Sequence, residues 1–218
     1  MIVAIDGPAG AGKSTVTSRL AARLGFIRID TGALYRVVAL LALRLGLPPE
    51  AEVELAAAIG SARIVFRGDH VLLDDEDVTL SIREPAISLS ASRYAAVPAV
   101  RASLLELQRR LGRASDAVLD GRDIGTVVFP NADVKIFLTA TADARARRRH
   151  AELLGRGADV VFDDVLREIV ARDHQDESRP IAPLRRAHDA VLVDATTMTI
   201  EEAVDACEAA VQDRSRLS

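Results

Sequence analysis

Cysteine is nearly missing from this chain: of 218 residues only Cys207 carries a thiol. That excludes an internal disulfide framework and suits a reducing cytoplasm. An excess of basic charge is missing as well. Lys and Arg number 28 against 32 Asp and Glu, a formal net charge of −4, which argues against a general nucleic-acid-binding surface. No stretch approaches the ~18 uninterrupted apolar residues of a membrane span. The residues from Met1 read as a strand that Asp6 ends almost at once, so no signal peptide is expected. His150, His174 and His188 have no metal-ligand spacing with cysteines or carboxylates. Asp74, Asp75 and Asp77 lack the glycine and terminal Glu of a calcium loop and read as a solvated hairpin. There is no internal repeat and no low-complexity tract apart from a polar tail, Asp213 to Ser218. What remains is an ordinary globular composition, 49% hydrophobic and 28% charged, long enough for one core with elaborations. The expectation is a soluble, cytoplasmic protein without nucleic-acid or membrane partners.

What is present begins at once. Gly7-Pro8-Ala9-Gly10-Ala11-Gly12-Lys13-Ser14 fits the phosphate-cradling pattern G-x-x-x-x-G-K-[ST] in the setting it requires, between a strand and a helix. Met1 to Ile5 is the apolar, partly β-branched run before it. Val16, Leu20 and Leu24 recur every fourth residue after it and line one helical face. Successive N–H groups of such a loop, with the helix N-terminus, point at phosphate oxygens. Lys13 can reach the β- and γ-phosphates, and the Ser14 hydroxyl can coordinate Mg²⁺. The chain is read as binding a nucleoside triphosphate.

Further along, strands alternate with helices. Gly25 closes the first helix, Phe26 to Ile29 is a strand, and Asp30-Thr31-Gly32 turns into a helix that Gly46 and Pro48-Pro49 stop. A small alanine-rich helix ends at Gly60. Ala62 to Phe66 and Val71 to Leu73 flank Arg67-Gly68-Asp69-His70 as a hairpin. Residues ~62 to ~97 read as a small, partly antiparallel insertion. A helix resumes after Pro98. Ala117 to Leu119, Val134 to Leu138 and Ala190 to Val193 are strands; Thr141 caps one helix, Phe162 to Asp176 forms another, and Thr199 with Glu202 opens the last as a capping box. This alternation predicts an α/β fold, a parallel sheet wrapped by helices on a phosphate-loop core, with ligands at the carboxyl ends of its strands. The polar clusters fall there: Gly7 to Ser14, Asp30-Thr31, and Asp120 to Asp123.

Phosphoryl transfer needs alignment, charge neutralisation and exclusion of water. Arginine suits the second task, because its planar fork stays ionised and holds phosphate oxygens bidentately. Arg36, Arg101, Arg122, Arg172 and Arg179 are the candidates. Arg36 and Arg122 stand out, because each follows a strand within a few residues. The run Arg145, Arg147, Arg148, Arg149 reads first as a solvated helix face. Cys207, in a late apolar helix, reads as a buried structural thiol.

Asp30-Thr31-Gly32-Ala33-Leu34-Tyr35-Arg36 resembles the monophosphate-side motif of nucleoside monophosphate kinases. The run from Asp120 to Pro130, Asp-Gly-Arg-Asp-Ile-Gly-Thr-Val-Val-Phe-Pro, is more particular and resembles bacterial cytidylate kinases. Arg172 to Arg179, followed by Ala182-Pro183-Leu184, is similar to that family's lid, and the 62–97 insertion sits where the family carries an extra small sheet. The resemblance covers essentially the whole chain. It implies a core of residues 1–61 and 98–218, a lid of about 147–180, and a CMP-side subdomain of 62–97. It implies direct in-line transfer from ATP to CMP or dCMP, within pyrimidine nucleotide metabolism. ATP would be held by Gly7, Pro8, Ala9, Gly10, Ala11, Gly12, Lys13, Ser14 and Thr15, with Mg²⁺ on Ser14. Arg36, Arg122 and Arg179 would hold the CMP phosphate. Ser92, Arg101 and Asp123 would read cytosine, and Arg172 and Asp176 the sugar hydroxyls, with Thr31 and Tyr35 beside them. Lys13, Arg122 and Arg179 would be the catalytic set. Gln175 departs from the arginine of many relatives, and Ser14-Thr15 replaces the Gly-Thr of some. An adenylate or shikimate kinase, a GTP-driven switch and a silent nucleotide sensor are the alternatives; the switch would want an Asn-Lys-x-Asp motif, which the chain lacks. A monomer is expected.

Overall fold

The computed structural model describes residues 1–68 and 70–215. Asp69 in the expected hairpin turn, and the last three residues of the polar tail, lie outside the described residues.

The apolar run at the start forms β1 (Ile2–Asp6), buried from Val3 onward. Such a continuous hydrophobic strand is what a parallel sheet covered on both faces selects. It pairs in parallel with β6 (Ala117–Gly121) on one side and β7 (Val134–Thr139) on the other. With β2 (Ile27–Asp30) and β8 (Val191–Asp194) the order is β2-β6-β1-β7-β8. Register positions the loops. Asp6 stands opposite Gly121 and Phe137, so Gly7 and Arg122 leave the sheet side by side.

Two compact units divide the chain, one made of Met1–Arg28 and Asp116–Ser218, the other of Ile29–Ser115. In the first, α1 (Lys13–Leu24) buries Val16 and Leu20 and ends at Gly25, whose φ of 71° is the left-handed conformation glycine reaches without strain. They join Val3, Ile5, Val118, Ile136 and Leu138 of the sheet, and Val204 and Cys207 of α8 (Ile200–Ser215), in one core. Each fully buried Leu or Ile here contributes about 1.5–3 kcal/mol over leaving it in water. Thr199 and Glu202 open α8 as the expected capping box: the Glu202 carboxylate accepts from the Thr199 N–H at 2.7 Å and the Thr199 hydroxyl accepts from the Glu202 N–H at 3.2 Å. Helices α6 (Ala142–Gly155) and α7 (Phe162–Ser178) share a smaller core of Ala146, Val165 and Ile169.

In the second unit, α2 (Thr31–Leu45) packs Leu34, Val37 and Val38 with Leu55 of α3 (Glu52–Ser61) and Val100 and Leu104 of α5 (Pro98–Arg113). The insertion begins as a three-stranded antiparallel sheet, β3 (Ile64–Arg67), β4 (His70–Leu73) and β5 (Glu76–Asp77). It continues as a helix, α4 (Pro85–Tyr94), which the alternation up to Thr79 does not announce. Proline at its first position supplies a preset φ and no orphaned N–H. Tyr94 closes it, donating to the Leu47 carbonyl at 2.7 Å. Among the described residues no helix is long and apolar enough to cross a membrane.

Candidate active site

The glycine loop has the backbone its sequence demands. Gly7, Gly10 and Gly12 all have positive φ, 151°, 77° and 91°. Gly7 has a second constraint, because a Cβ there would collide with the Leu138 carbonyl oxygen of β7. Gly12 caps α1, its carbonyl accepting from Thr15 and Val16 at 3.1 and 3.0 Å. The Lys13 ammonium, buried in the loop, donates to the Gly7 and Pro8 carbonyls at 2.6 and 2.7 Å. Burial lowers its pKa, and the Arg122 charge lowers it further; Asp120, Asp6 and Asp176 oppose the shift. The lysine of the phosphate loop and Arg122 therefore share one electrostatic neighbourhood, and that neighbourhood is crowded with charge.

Arg122 emerges from β6 with its Nε donating to Asp176 at 2.7 Å, and Arg179 lies 3.6 Å from Asp123. Site residues expected from two separate stretches of the sequence thus meet as pairs: the strand-end Arg122 with Asp176 of α7, and Arg179, just past α7, with the strand-end Asp123. Arg179 also donates to the Ala182 carbonyl at 2.6 Å, and Asp176 accepts through its main chain from Leu184. Arg172 lies on the exposed side of α7.

In the unit of Ile29–Ser115, Asp30 caps α2 by accepting from the Ala33 N–H at 2.9 Å, and its other oxygen accepts from Arg36 at 2.9 Å. Thr31 is the first residue of that helix and is buried. Gly32 leaves the space: a Cβ there would stand 3.1 Å from the Asp30 carboxylate and 3.2 Å from the Arg36 guanidinium. Arg101, buried in α5, stacks its guanidinium 5.8 Å from the Tyr35 ring centroid and donates to the Ala95 carbonyl. Ser92 is half-buried on α4.

Three residues do more than the sequence reading assigned to them. Asp120, buried at the end of β6, stands 3.3 Å from the Ser14 hydroxyl; its position, an Asp closing an apolar strand, was the available signal. A hydroxyl and a carboxylate are the hard oxygen donors Mg²⁺ takes, so these residues fit the cation. Arg145 corrects the reading of the charge run as a solvated face. It is buried, and its guanidinium donates to the carbonyls of Ala140 and of Ala9 in the glycine loop and to both oxygens of Asp173. Arg148 is half-buried and donates to the Ala195 carbonyl at 2.5 Å. Only Arg147 and Arg149 pair along their own helix, with Asp143 and Glu152. The third is Asp6. Its carboxylate accepts from the N–H groups of Ile124 and Gly125 at 2.8 and 2.7 Å. Burial pushes its pKa up to about 6 against those two hydrogen bonds.

A helix-wrapped parallel sheet whose first loop fits the phosphate-cradling pattern G-x-x-x-x-G-K-[ST] has the fold of a phosphate-loop kinase. The fold alone relates it to a shikimate kinase from Bacteroides thetaiotaomicron, 14% identical over 97% of this chain and 98% of that one, with a TM-score of 0.51. The sequence is more specific. A family model described as cytidylate kinase matches residues 3–213. Proteins named cytidylate kinase from Geobacter sulfurreducens and Carboxydothermus hydrogenoformans are each 50% identical, over 99% and 94% of this chain and 94% of their own length. The chain belongs to the cytidylate kinase family, nucleoside monophosphate kinases that use ATP as phosphoryl donor.

Proposed function

We propose that this protein transfers the γ-phosphoryl group of ATP to CMP and dCMP, giving ADP and CDP or dCDP. The observation that carries the reading is the placing of Arg122, paired with Asp176, in the electrostatic surroundings of the phosphate-loop lysine, within a family of this name. An oxygen of the CMP phosphate attacks the γ-phosphorus in line, and the bond to the ADP oxygen breaks with its electron pair. No general base is required, because the acceptor oxygen is already ionised. Residues Gly7 to Thr15 hold the triphosphate. Lys13, Arg122 and Arg179 stabilise charge on the group in transit. Arg36, Arg122 and Arg179 serve the acceptor phosphate, Ser92, Arg101 and Asp123 the cytosine, Arg172 and Asp176 the sugar, with Thr31 and Tyr35 alongside. Ser14, backed by Asp120, would hold Mg²⁺, which neutralises donor-phosphate charge when bound.

The segment of about 147–180 acts as a lid that excludes water, and the 62–97 segment belongs to the acceptor side. A cytoplasmic location fits a chain whose one thiol is free and buried, and the proposed state is a monomer. Replacing Arg122 by Ala tests the acceptor assignment. The expected result is a fall of about 100-fold or more in kcat/KM for CMP with ATP binding retained, the scale of losing one transition-state donor. CMP turnover within a few fold of wild type would remove Arg122 from the site.

A further inference from the structure

Asp6 is the last residue of β1 and immediately precedes the glycine loop. Its carboxylate is hydrogen-bonded to the strand-end run that follows β6 and lies within electrostatic reach of Lys13. The run leaves β6 at Gly121 and passes through Arg122 and Asp123 into a single π-helical turn, Ile124–Val128. The first N–H groups of any helical turn have no partner within it. Here Asp6 supplies two of the missing acceptors, one carboxylate oxygen to Ile124 at 2.8 Å and the other to Gly125 at 2.7 Å. It is a helix cap delivered from a different strand. Val127 and Val128 close the turn onto the Asp123 carbonyl at 2.9 and 3.1 Å, so fixing Ile124 and Gly125 fixes Asp123, and with it Arg122.

The seat is tight. A Cβ on Gly125 would stand 3.1 Å from the Lys135 side chain and 3.4 Å from the Asp6 carboxylate. Lys135 does not neutralise Asp6: its ammonium is bound to Asp189 at 2.9 and 3.0 Å. An anionic carboxylate in this buried place is a costly way to cap one turn, and Ser or Asn caps a helix adequately elsewhere. What the carboxylate provides and those side chains do not is two rigidly spaced acceptors.

We infer that Asp6 is a positioning residue of the kinase, whose two-oxygen cap on Ile124 and Gly125 holds Arg122 and Asp123 at a fixed offset from the phosphate loop. The inference rests on the proposed function, in which Arg122 and Asp123 serve the acceptor. Asp6 touches neither nucleotide in this account; it acts through Arg122 and Asp123. Asparagine at position 6 keeps the size but retains one acceptor and turns an NH₂ towards the second N–H.

The test is a double-mutant cycle on the full-length chain, with steady-state kinetics in ATP–Mg²⁺ and CMP for wild type, Asp6→Asn, Arg122→Ala and the double variant. KM for ATP and thermal unfolding are recorded for each. We expect Asp6→Asn to lose about 10- to 100-fold in kcat/KM for CMP while KM for ATP stays within about three-fold. The double variant is expected to lose clearly less than the product of the two single losses, because both changes act in part through Arg122. Multiplying losses, or equal loss of ATP and CMP parameters, would overturn the inference. If Asp6→Asn does not fold, Gly125→Ala decides: it keeps the carboxylate and crowds its seat. It should lower kcat/KM for CMP about 10-fold with KM for ATP unchanged, and wild-type kinetics would overturn the inference. A wild-type enzyme inactive with CMP refutes the proposed function itself. A wild-type enzyme active with CMP and sensitive at Arg122 but indifferent at Asp6 refutes this inference alone.

Discussion

The buried carboxyl of Asp6 sets a pH dependence whose sign follows from its surroundings. Burial, partly offset by the N–H groups of Gly125 and Ile124, raises its pKa from 3.8 to about 6. A group with a raised folded-state pKa contributes stability that is complete below its unfolded value and lost as pH rises through the folded one. Compared with the non-titrating Asp6→Asn variant, the wild type should therefore lose stability between about pH 4 and 6.5, by up to about 3 kcal/mol. Urea unfolding of both proteins across that range measures the difference, and a difference that grows in favour of wild type with pH would contradict the burial argument. Cys207 is a second residue-scale case. It is completely buried, and desolvation pushes its thiol up to about 12. Its thiolate is the reactive form, so a thiol reagent at pH 8 should leave the native protein unmodified and react with one equivalent after denaturation. Its burial was legible from the sequence because it lies on an apolar helical stripe. The role of Asp6 was not, since its partners are 118 and 119 residues away.

At the scale of elements, one arginine run divides into unlike parts. Arg145 and Arg147 are two residues apart on α6, so they point to different faces. Arg145 ties the glycine-loop carbonyl of Ala9 to α6, and α6 to Asp173 of α7. Breaking a buried pair of this kind costs about 3–5 kcal/mol. Arg145→Met is therefore expected to lower the melting temperature markedly and raise KM for ATP, whereas Arg147→Met, which removes an exposed i,i+4 pair, should change neither. Thermal unfolding and ATP titration of the two variants check this, and equal effects would contradict it. Helix boundaries set by glycine and proline were readable in the sequence: Gly25 and Gly46 both adopt the left-handed cap. The helix from Pro85 was less so, because its short apolar stripe follows directly on strand-like alternation. The π-helical turn at Ile124–Val128 had no local signal, because its partners belong to β1.

For the whole molecule, the sequence carried the architecture through its periodicity and the glycine loop through its motif. The strand-end run from Asp120 to Pro130 carried the family. What the sequence could not show was how these parts are wired. Parallel register sets Asp6 against Gly121, and only that brings a carboxylate from the first strand under a turn more than a hundred residues later. What distinguishes this phosphate-loop kinase from others is its choice of acceptor. The most direct measurement is ADP release by the wild-type protein with ATP–Mg²⁺ and, in turn, CMP, dCMP, UMP, AMP, GMP and shikimate. Turnover should be strong with CMP and dCMP and far weaker with the purine monophosphates and shikimate. Turnover led by AMP or shikimate, or none with any acceptor despite ATP binding, would contradict it.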